Sequence, residues 1–389
     1  MDLPAPASPL QVPMQLAMVA GEASGDLLAG LLLQGIRVRW PGSRAVGIGG
    51  PRMAEQGFEA WWPHERLSVF GYVDAVARLP ELLRIRRGLA ARLLANKPMA
   101  FVGVDAPDFN FGLETRLRSA GVKTLHFVCP SIWAWRAERV QTLARAADHV
   151  LCLFPFEPGL LRRHGIAATF VGHPVAGMIP LVPPRAAARA ALGLSADAVV
   201  VALLPGSRRR EIAQIAPGMA RAAALMARRQ AGLVFVLPAA PGLRSLIEAC
   251  LVRHAPGVDI QLIDGRSHEA LAACDVSLIA SGTATLEAAL FKCPMVITYR
   301  VSWLDWQRMK RMGYQPWYGL PNILSGEFVV PELIQDAATP ERMADETLAW
   351  LDDAPRVQRL RLRFETLHQQ LRQDTARLAT DAIAQVLQA

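Results

Sequence analysis

At 389 residues the chain exceeds the usual span of one hydrophobic core, so two domains are expected. A composition of 52% hydrophobic and 20% charged residues excludes intrinsic disorder, and no apolar run reaches the roughly 18 residues of a membrane-spanning helix. The net charge of +8, carried almost wholly by arginine, fits phosphate-bearing substrates or an anionic bilayer as well as nucleic acid, for which no binding motif is present.

Residues 1–13, MDLPAPASPLQVP, read as a Pro-rich N-terminal extension that carries Asp2, lacks a basic region and is therefore not a secretory signal. β-rich runs then alternate with helical stretches, at Met14 to Ala20, Ala45 to Ile48, Met99 to Val104, Lys123 to Val128, Val150 to Leu153 and Thr169 to Val171. These define a first domain over 14–174. Prolines 174, 183 and 184 mark a linker over 175–190. A second domain over 191–340 restarts the pattern at Ala198 to Leu204, Leu233 to Leu237, Asp259 to Ile263, Val276 to Ala280 and Met295 to Tyr299. The tail, 341–389, is helical with a break at Pro355 and is expected to pack back on the first domain. Such alternation predicts two doubly wound, parallel-sheet α/β domains of Rossmann type facing a cleft. The five cysteines are odd in number and show no metal-ligand spacing, as expected of reduced thiols in the cytoplasm.

In doubly wound sheets, ligands bind at loops after the strands. The first such loop, Gly21 to Asp26, is a tight turn into a helix but neither a GxGxxG nor a P-loop motif, which argues against dinucleotide oxidoreductases and ATPases. Asp105 falls at the end of the third run, where it can serve as a general base or cap the next helix. For Asp108 the structural role is preferred. Trp133 and Trp135 stand in the next loop, available either to stack on a sugar or acyl chain or to pack.

In the second domain, Pro205 to Glu211 gives a glycine turn in which Ser207 can cap a helix and Arg208 can pair with a phosphate. A second turn, Ser281, Gly282 and Thr283, opens a helix through Ala284 and Thr285 to Glu287. Helix N-termini bind anions, and a carboxylate one turn on can accept two sugar hydroxyls. Two phosphate-friendly turns beside such an acid suit a nucleoside diphosphate; a capped helix with a solvated Glu is the plainer alternative.

The motifs VAGEASGD (19–26), GIGGPRM (47–53), VGVDAPDFN (102–110), PSIWAWR (130–136), LFPFE (153–157), VGHP (171–174), LLPGSRRREI (203–212), ASGTATLE (280–287), KCPMV (292–296) and LPNIL (320–324) occur in order. Together they resemble the lipid-A-disaccharide synthases, inverting glycosyltransferases of the GT-B fold. The resemblance implies transfer of 2,3-diacylglucosamine from UDP-2,3-diacylglucosamine to 2,3-diacylglucosamine 1-phosphate, a step of lipid A and lipopolysaccharide biosynthesis. It implies that Asp105 is the base. Ser207, Arg208, Ser281, Gly282, Thr283, Ala284, Thr285 and Glu287 would hold UDP. Glu22, Ser24, Gly25, Asp26 and Asn322 would touch the sugar substrates.

No cofactor and no metal is expected, since the chain has no DxD pair and Arg208 with a helix N-terminus can neutralise departing UDP. Acylated substrates imply peripheral contact with the anionic inner-membrane surface. Trp61, Trp62 and Phe70, followed by a helix bearing Arg84 and Arg87, are the candidate surface. The stripe Leu82, Ile85, Leu89 and Leu93 serves equally for a sheet-covering helix, with Arg86 intruding on it. Another GT-B enzyme using UDP-sugars, an N-acetylglucosaminyl transferase or an epimerase, is the competing reading. Acyl-chain length and homo-oligomerisation are left open.

Overall fold

The computed structural model describes residues 14–67, 72–133, 138–303, 306–307 and 316–388, the side chains of 72–77 excepted. Of these, the residues up to Pro174 and from Leu371 onward form one compact unit, and Val175–Gln370 form the other.

The first unit is built on a seven-stranded sheet of β1 (Gln15–Ala20), β2 (Arg44–Gly49), β3 (Glu59–Pro63), β4 (Ala100–Val104), β5 (Lys123–Phe127), β6 (His149–Cys152) and β7 (Ala168–Phe170). Its helices are α1 (Ala23–Arg39), α2 (Pro51–Ala54), α3 (Tyr72–Ala95), α4 (Pro107–Ser119), α5 (Arg139–Ala146) and α6 (Glu157–Arg162). The spatial order is β3-β2-β1-β4-β5-β6-β7, all parallel. Alternate residues of β1 feed opposite faces. Leu16, Met18 and Ala20 pack with Leu28 and Leu32 of α1, whereas Ala17 and Val19 pack with Leu89 of α3 and Leu113 of α4. Burial on both faces explains why the strand reads as an unbroken apolar run.

The second unit opens with α7 (Pro174–Met178) and α8 (Arg185–Ala191). It continues through β8 (Val199–Leu204), α9 (Arg209–Arg229), β9 (Leu233–Ala239), α10 (Arg244–His254), β10 (Ile260–Asp264), α11 (Ser267–Ala273), β11 (Val276–Ala280), α12 (Thr283–Leu290) and β12 (Met295–Tyr299). Then come α13 (Leu320–Ser325), β13 (Glu332–Ile334), α14 (Pro340–Asp352) and α15 (Ala354–Leu371), before α16 (Thr375–Gln388) in the first unit. The strand order is β10-β9-β8-β11-β12-β13, again parallel. The linker segment is partly helical, and α8 is anchored where Arg189 donates to Ala273 O at 3.0 Å and to Asp275 Oδ2 at 3.0 Å.

Each expected strand meets an observed one within two residues; β3 and β13, at sheet edges, were not anticipated. The tail differs from expectation. Of the tail, Leu371 at the end of α15 and the whole of α16 belong to the first unit, where Ala379 and Ile383 enter the α1 face of its core. Its close approach requires Gly35, since a Cβ there would stand 2.5 Å from Ala376 O. α14 belongs to the second unit: Trp350 is buried there and its indole donates to Met295 O at 3.1 Å. The helical break falls at Asp353, with Pro355 inside the first turn of α15, where proline is tolerated.

Candidate active site

Both sheets reverse their winding between the third and fourth strands of their spatial order, β1/β4 and β8/β11, and ligands bind at the carboxyl ends of such a pair. The turns singled out from the sequence stand at these two places.

In the first unit, Asp105 follows β4 directly. Its N–H donates to Phe127 O at 2.8 Å, and its carbonyl accepts from Asn110 Nδ2 at 2.8 Å. Asp105 and Ala106 both have left-handed backbones, with φ of 51° and 43°, a strained choice for non-glycine residues. The half-buried Asp105 carboxylate makes no side-chain hydrogen bond or ion pair among the described residues. Hence it does not cap α4. Gly21 lets the first turn approach, since a Cβ there would meet the Ala106 Cβ at 3.1 Å. Glu22 and Ser24 are exposed at the start of α1, whereas Gly25 and Asp26 are buried.

Asp26 has a different occupation from the substrate contact expected of it. Only 2% exposed, its carboxylate accepts from the backbone N–H groups of Gly50 (2.9 Å), Arg52 (2.9 Å) and Met53 (3.1 Å), capping α2. The aromatic loop differs too. Trp133 is buried against Phe154 and Phe156 and donates to Glu157 Oε1 at 3.0 Å, so it packs rather than stacks on substrate. Burial pushes the Glu157 carboxyl up to about 8. Asp108 is exposed and pairs with Arg139 at 2.6 Å. Phe70, Trp135 and Arg136 lie outside the described residues.

In the second unit, Ile279 of β11 lies in register with Leu204 of β8, so the turns after these strands are neighbours. Their helix N-termini differ. At α9, Glu211 Oε2 accepts from the N–H groups of Ser207 and Arg208, both at 3.3 Å, so Glu211 and not Ser207 caps this helix. Arg208 is highly exposed, its guanidinium 3.2 Å from Glu211 Oε1. At α12, Gly282 and Thr283 are exposed and no side chain among the described residues caps the helix. The Thr285 hydroxyl turns back to Gly282 O at 2.8 Å, and the Ser281 hydroxyl donates to Tyr318 O at 3.3 Å. Ala284 is half-buried between them. Exposed, uncapped backbone donors at a helix start are the geometry an anion requires, and α12 offers it where α9 does not; Arg208 is exposed on the turn after the neighbouring strand.

Glu287, one turn into α12, has His268 Nε2 at 3.6 Å, and this carboxylate raises the His268 pKa above its usual value. Asn322 is fully buried and saturated. It donates to Val330 O at 2.9 Å and Glu332 Oε1 at 2.8 Å, and accepts from Val329 and Val330 N–H at 2.8 and 3.0 Å. It fixes α13 to β13 and has no group left for a sugar. Burial raises the Glu332 carboxyl above the ordinary range.

The sequence profile of lipid-A-disaccharide synthetase matches residues 16–386. A lipid-A-disaccharide synthase from Verminephrobacter eiseniae is 57% identical over 383 residues, covering 97% of this chain and 98% of the relative. One from Burkholderia pseudomallei is 54% identical over 377 residues, covering 96% and 97%. The chain belongs to the lipid-A-disaccharide synthase family. Among solved structures, MurG of Acinetobacter baumannii matches with a TM-score of 0.60 at 15% identity, covering 96% of this chain and 100% of that one. A UDP-GlcNAc 2-epimerase from Neisseria meningitidis, bound to UDP-GlcNAc, matches with 0.62 at 11%, covering 97% and 100%. These likenesses establish a fold of the GT-B kind.

For a lipid-A-disaccharide synthase family member, sequence reasoning missed Glu211, His268 and Asn110 at these turns. Glu211 carried a signal, being the acid three residues into a helix, the reciprocal partner of a capping box. The candidate membrane surface is also altered by the fold. Ile85, Leu89 and Leu93 are buried in the sheet core, so the apolar stripe of α3 covers the sheet. Trp61 and Trp62 are half-buried on edge strand β3, with Arg92 3.6 Å above the Trp61 ring. Arg86 reaches over α4, where a Cβ on Gly112 would meet its guanidinium at 2.9 Å. Arg84 and Arg87 remain exposed, beside Leu79, Pro80 and Leu83, around a cleft of about 410 Å³. Among the described residues, no helix is long and apolar enough to cross a membrane.

Proposed function

We propose that the protein transfers 2,3-diacylglucosamine from its UDP derivative to the 6-hydroxyl of 2,3-diacylglucosamine 1-phosphate, giving the β-1,6 disaccharide 1-phosphate and UDP. The observation that carries the mechanism is the Asp105 carboxylate, reachable and without a side-chain partner at the β1/β4 reversal. It takes the proton of the acceptor hydroxyl as the oxygen attacks the anomeric carbon from the face opposite UDP. Inversion in a single displacement requires a base and no covalent enzyme intermediate, the part that the second carboxylate plays in inverting glycosidases. The bond to the UDP oxygen breaks in the same step, and the negative charge that grows there is met by the open N–H groups of α12 and by Arg208. Glu287 accepts the ribose hydroxyls. Glu22 and Ser24, exposed at the start of α1, are the acceptor contacts that remain, since Gly25 is buried and Asp26 and Asn322 are hydrogen-bonded elsewhere.

The acyl chains of both substrates place the work at the cytoplasmic face of the inner membrane, held peripherally. Support comes from Arg84, Arg87 and the half-exposed Leu79. The test is mass spectrometry of products from UDP-diacylglucosamine and its 1-phosphate partner. Disaccharide 1-phosphate and UDP are expected, with Asp105→Asn at least 100-fold slower and still binding UDP, given the usual size of general-base effects. A donor epimer in place of the disaccharide would favour epimerase chemistry and overturn the proposal.

A further inference from the structure

A buried polar cluster lies directly behind the Asp105 turn. Asn110 and Glu114 of α4 and His126 of β5 are all 0% exposed, with His126 Nδ1 2.7 Å from Glu114 Oε1. Gly103 of β4 stands beside His126 in register. A Cβ on Gly103 would meet Glu114 Oε1 at 2.0 Å and Asn110 Cβ and Cγ at 3.0 Å, so the strand surrenders a side chain to seat both polar groups. The arrangement is costly. Among the described residues Asn110 Oδ1, Glu114 Oε2 and His126 Nε2 have no hydrogen-bond partner, and an apolar trio of similar volume would be the easier core.

What the cluster delivers outward, among the described residues, is one side-chain hydrogen bond, from Asn110 Nδ2 to Asp105 O at 2.8 Å. That carbonyl belongs to the first of two consecutive left-handed residues. Flipping either back to the ordinary region would redirect the chain and the Asp105 side chain together.

We propose that Asn110, seated against Gly103 and Glu114, is the positioning residue that holds the Asp105–Ala106 turn left-handed and so aims the Asp105 carboxylate at the acceptor hydroxyl. This rests on the reading of Asp105 as the base. Misplacing a reacting group by about 1 Å can cost on the order of 100-fold in rate.

Asn110→Leu keeps the number and branching of the side-chain heavy atoms while deleting both the donor and an unpartnered acceptor; Asn110→Ser, which is smaller, repeats the comparison if the bulkier leucine does not fold. The folded variant should show kcat reduced tenfold or more, UDP affinity within twofold of wild type, and no further loss when combined with Asp105→Asn. Wild-type kcat in the folded variant would overturn the proposal. So would an equal fractional loss in the wild-type and Asp105→Asn backgrounds, which marks an effect not passing through the carboxylate, or a matching loss of UDP affinity. An active Asp105→Asn enzyme would instead refute the base itself.

Discussion

Replacing Asp26 by Ala separates a structural carboxylate from a substrate-binding one. In the native fold this side chain accepts three backbone N–H groups at the start of α2, and Gly50 is the residue that lets it come so close, because a Cβ there would stand 2.7 Å from Asp26 Oδ2. Alanine strands those donors, and Met53, with 0% exposure, leaves little access for water to replace the acceptor. Hydrogen bonds to a charged group are each worth about 1.5–3 kcal/mol, and three sharing one acceptor are not additive, so a loss of about 3–5 kcal/mol is expected. For a unit of this size that lowers the midpoint of thermal unfolding by roughly 10 °C or more. Circular dichroism on heating reads the stability, and steady-state kinetics well below the midpoint read the acceptor KM, which should stay within about threefold of wild type. A midpoint within 2 °C of wild type together with a tenfold higher KM would refute the capping argument and return Asp26 to the substrate site.

Glu157, raised to about 8 from 4.5, binds its proton more tightly folded than unfolded, so it stabilises the protein fully below about pH 4.5 and loses that contribution as pH climbs through 8. Glu157→Gln should flatten this part of the stability–pH curve; an unchanged slope between pH 5 and 8 in denaturant titrations would contradict it. Arg208→Ala and Glu287→Ala should each weaken UDP binding in calorimetry, with the arginine variant the more damaging to kcat because charge on the leaving group grows in the transition state. Undiminished UDP affinity in both would remove the nucleotide from these turns. Replacing Arg84 and Arg87 by Glu should lower sedimentation with anionic vesicles and weaken its salt dependence while sparing UDP affinity; equal sedimentation of wild type and variant would move the membrane face elsewhere.

The central strands were legible because burial on both faces makes them continuous apolar runs, and the glycine turns after them because a helix must follow each. β3 was not, since EAWWP mixes a charge, two tryptophans and a proline, a pattern tolerated only at a sheet edge. The Asp105 turn could be placed from sequence, but its left-handed geometry could not, because the hydrogen bond from the buried Asn110 to Asp105 O shows only in the fold. Likewise Asp26 and Asn322 sit in motifs and look available. Their partners, Gly50 to Met53 and Val329 to Glu332, show only once the chain has folded. At α9 and α12 two similar motifs differ by one acid: Glu211 closes the first N-terminus, and no side chain among the described residues caps the second.

The return of α16 to the first unit bears on the order in which the protein is made. Residues Ala379, Ala382, Ile383 and Val386 complete the core layer over α1, yet they are synthesised only after the whole second unit. At about 5–20 residues per second, the α1 face waits uncovered for roughly ten seconds or more while α7 to α15 are produced. During that interval Leu28, Leu32 and Ile36 form an apolar surface with its intended cover missing, which is where a chaperone would engage and where a stalled chain would aggregate. A stop codon just before α16 would therefore spare every residue of the second unit and still deny the first its finished fold.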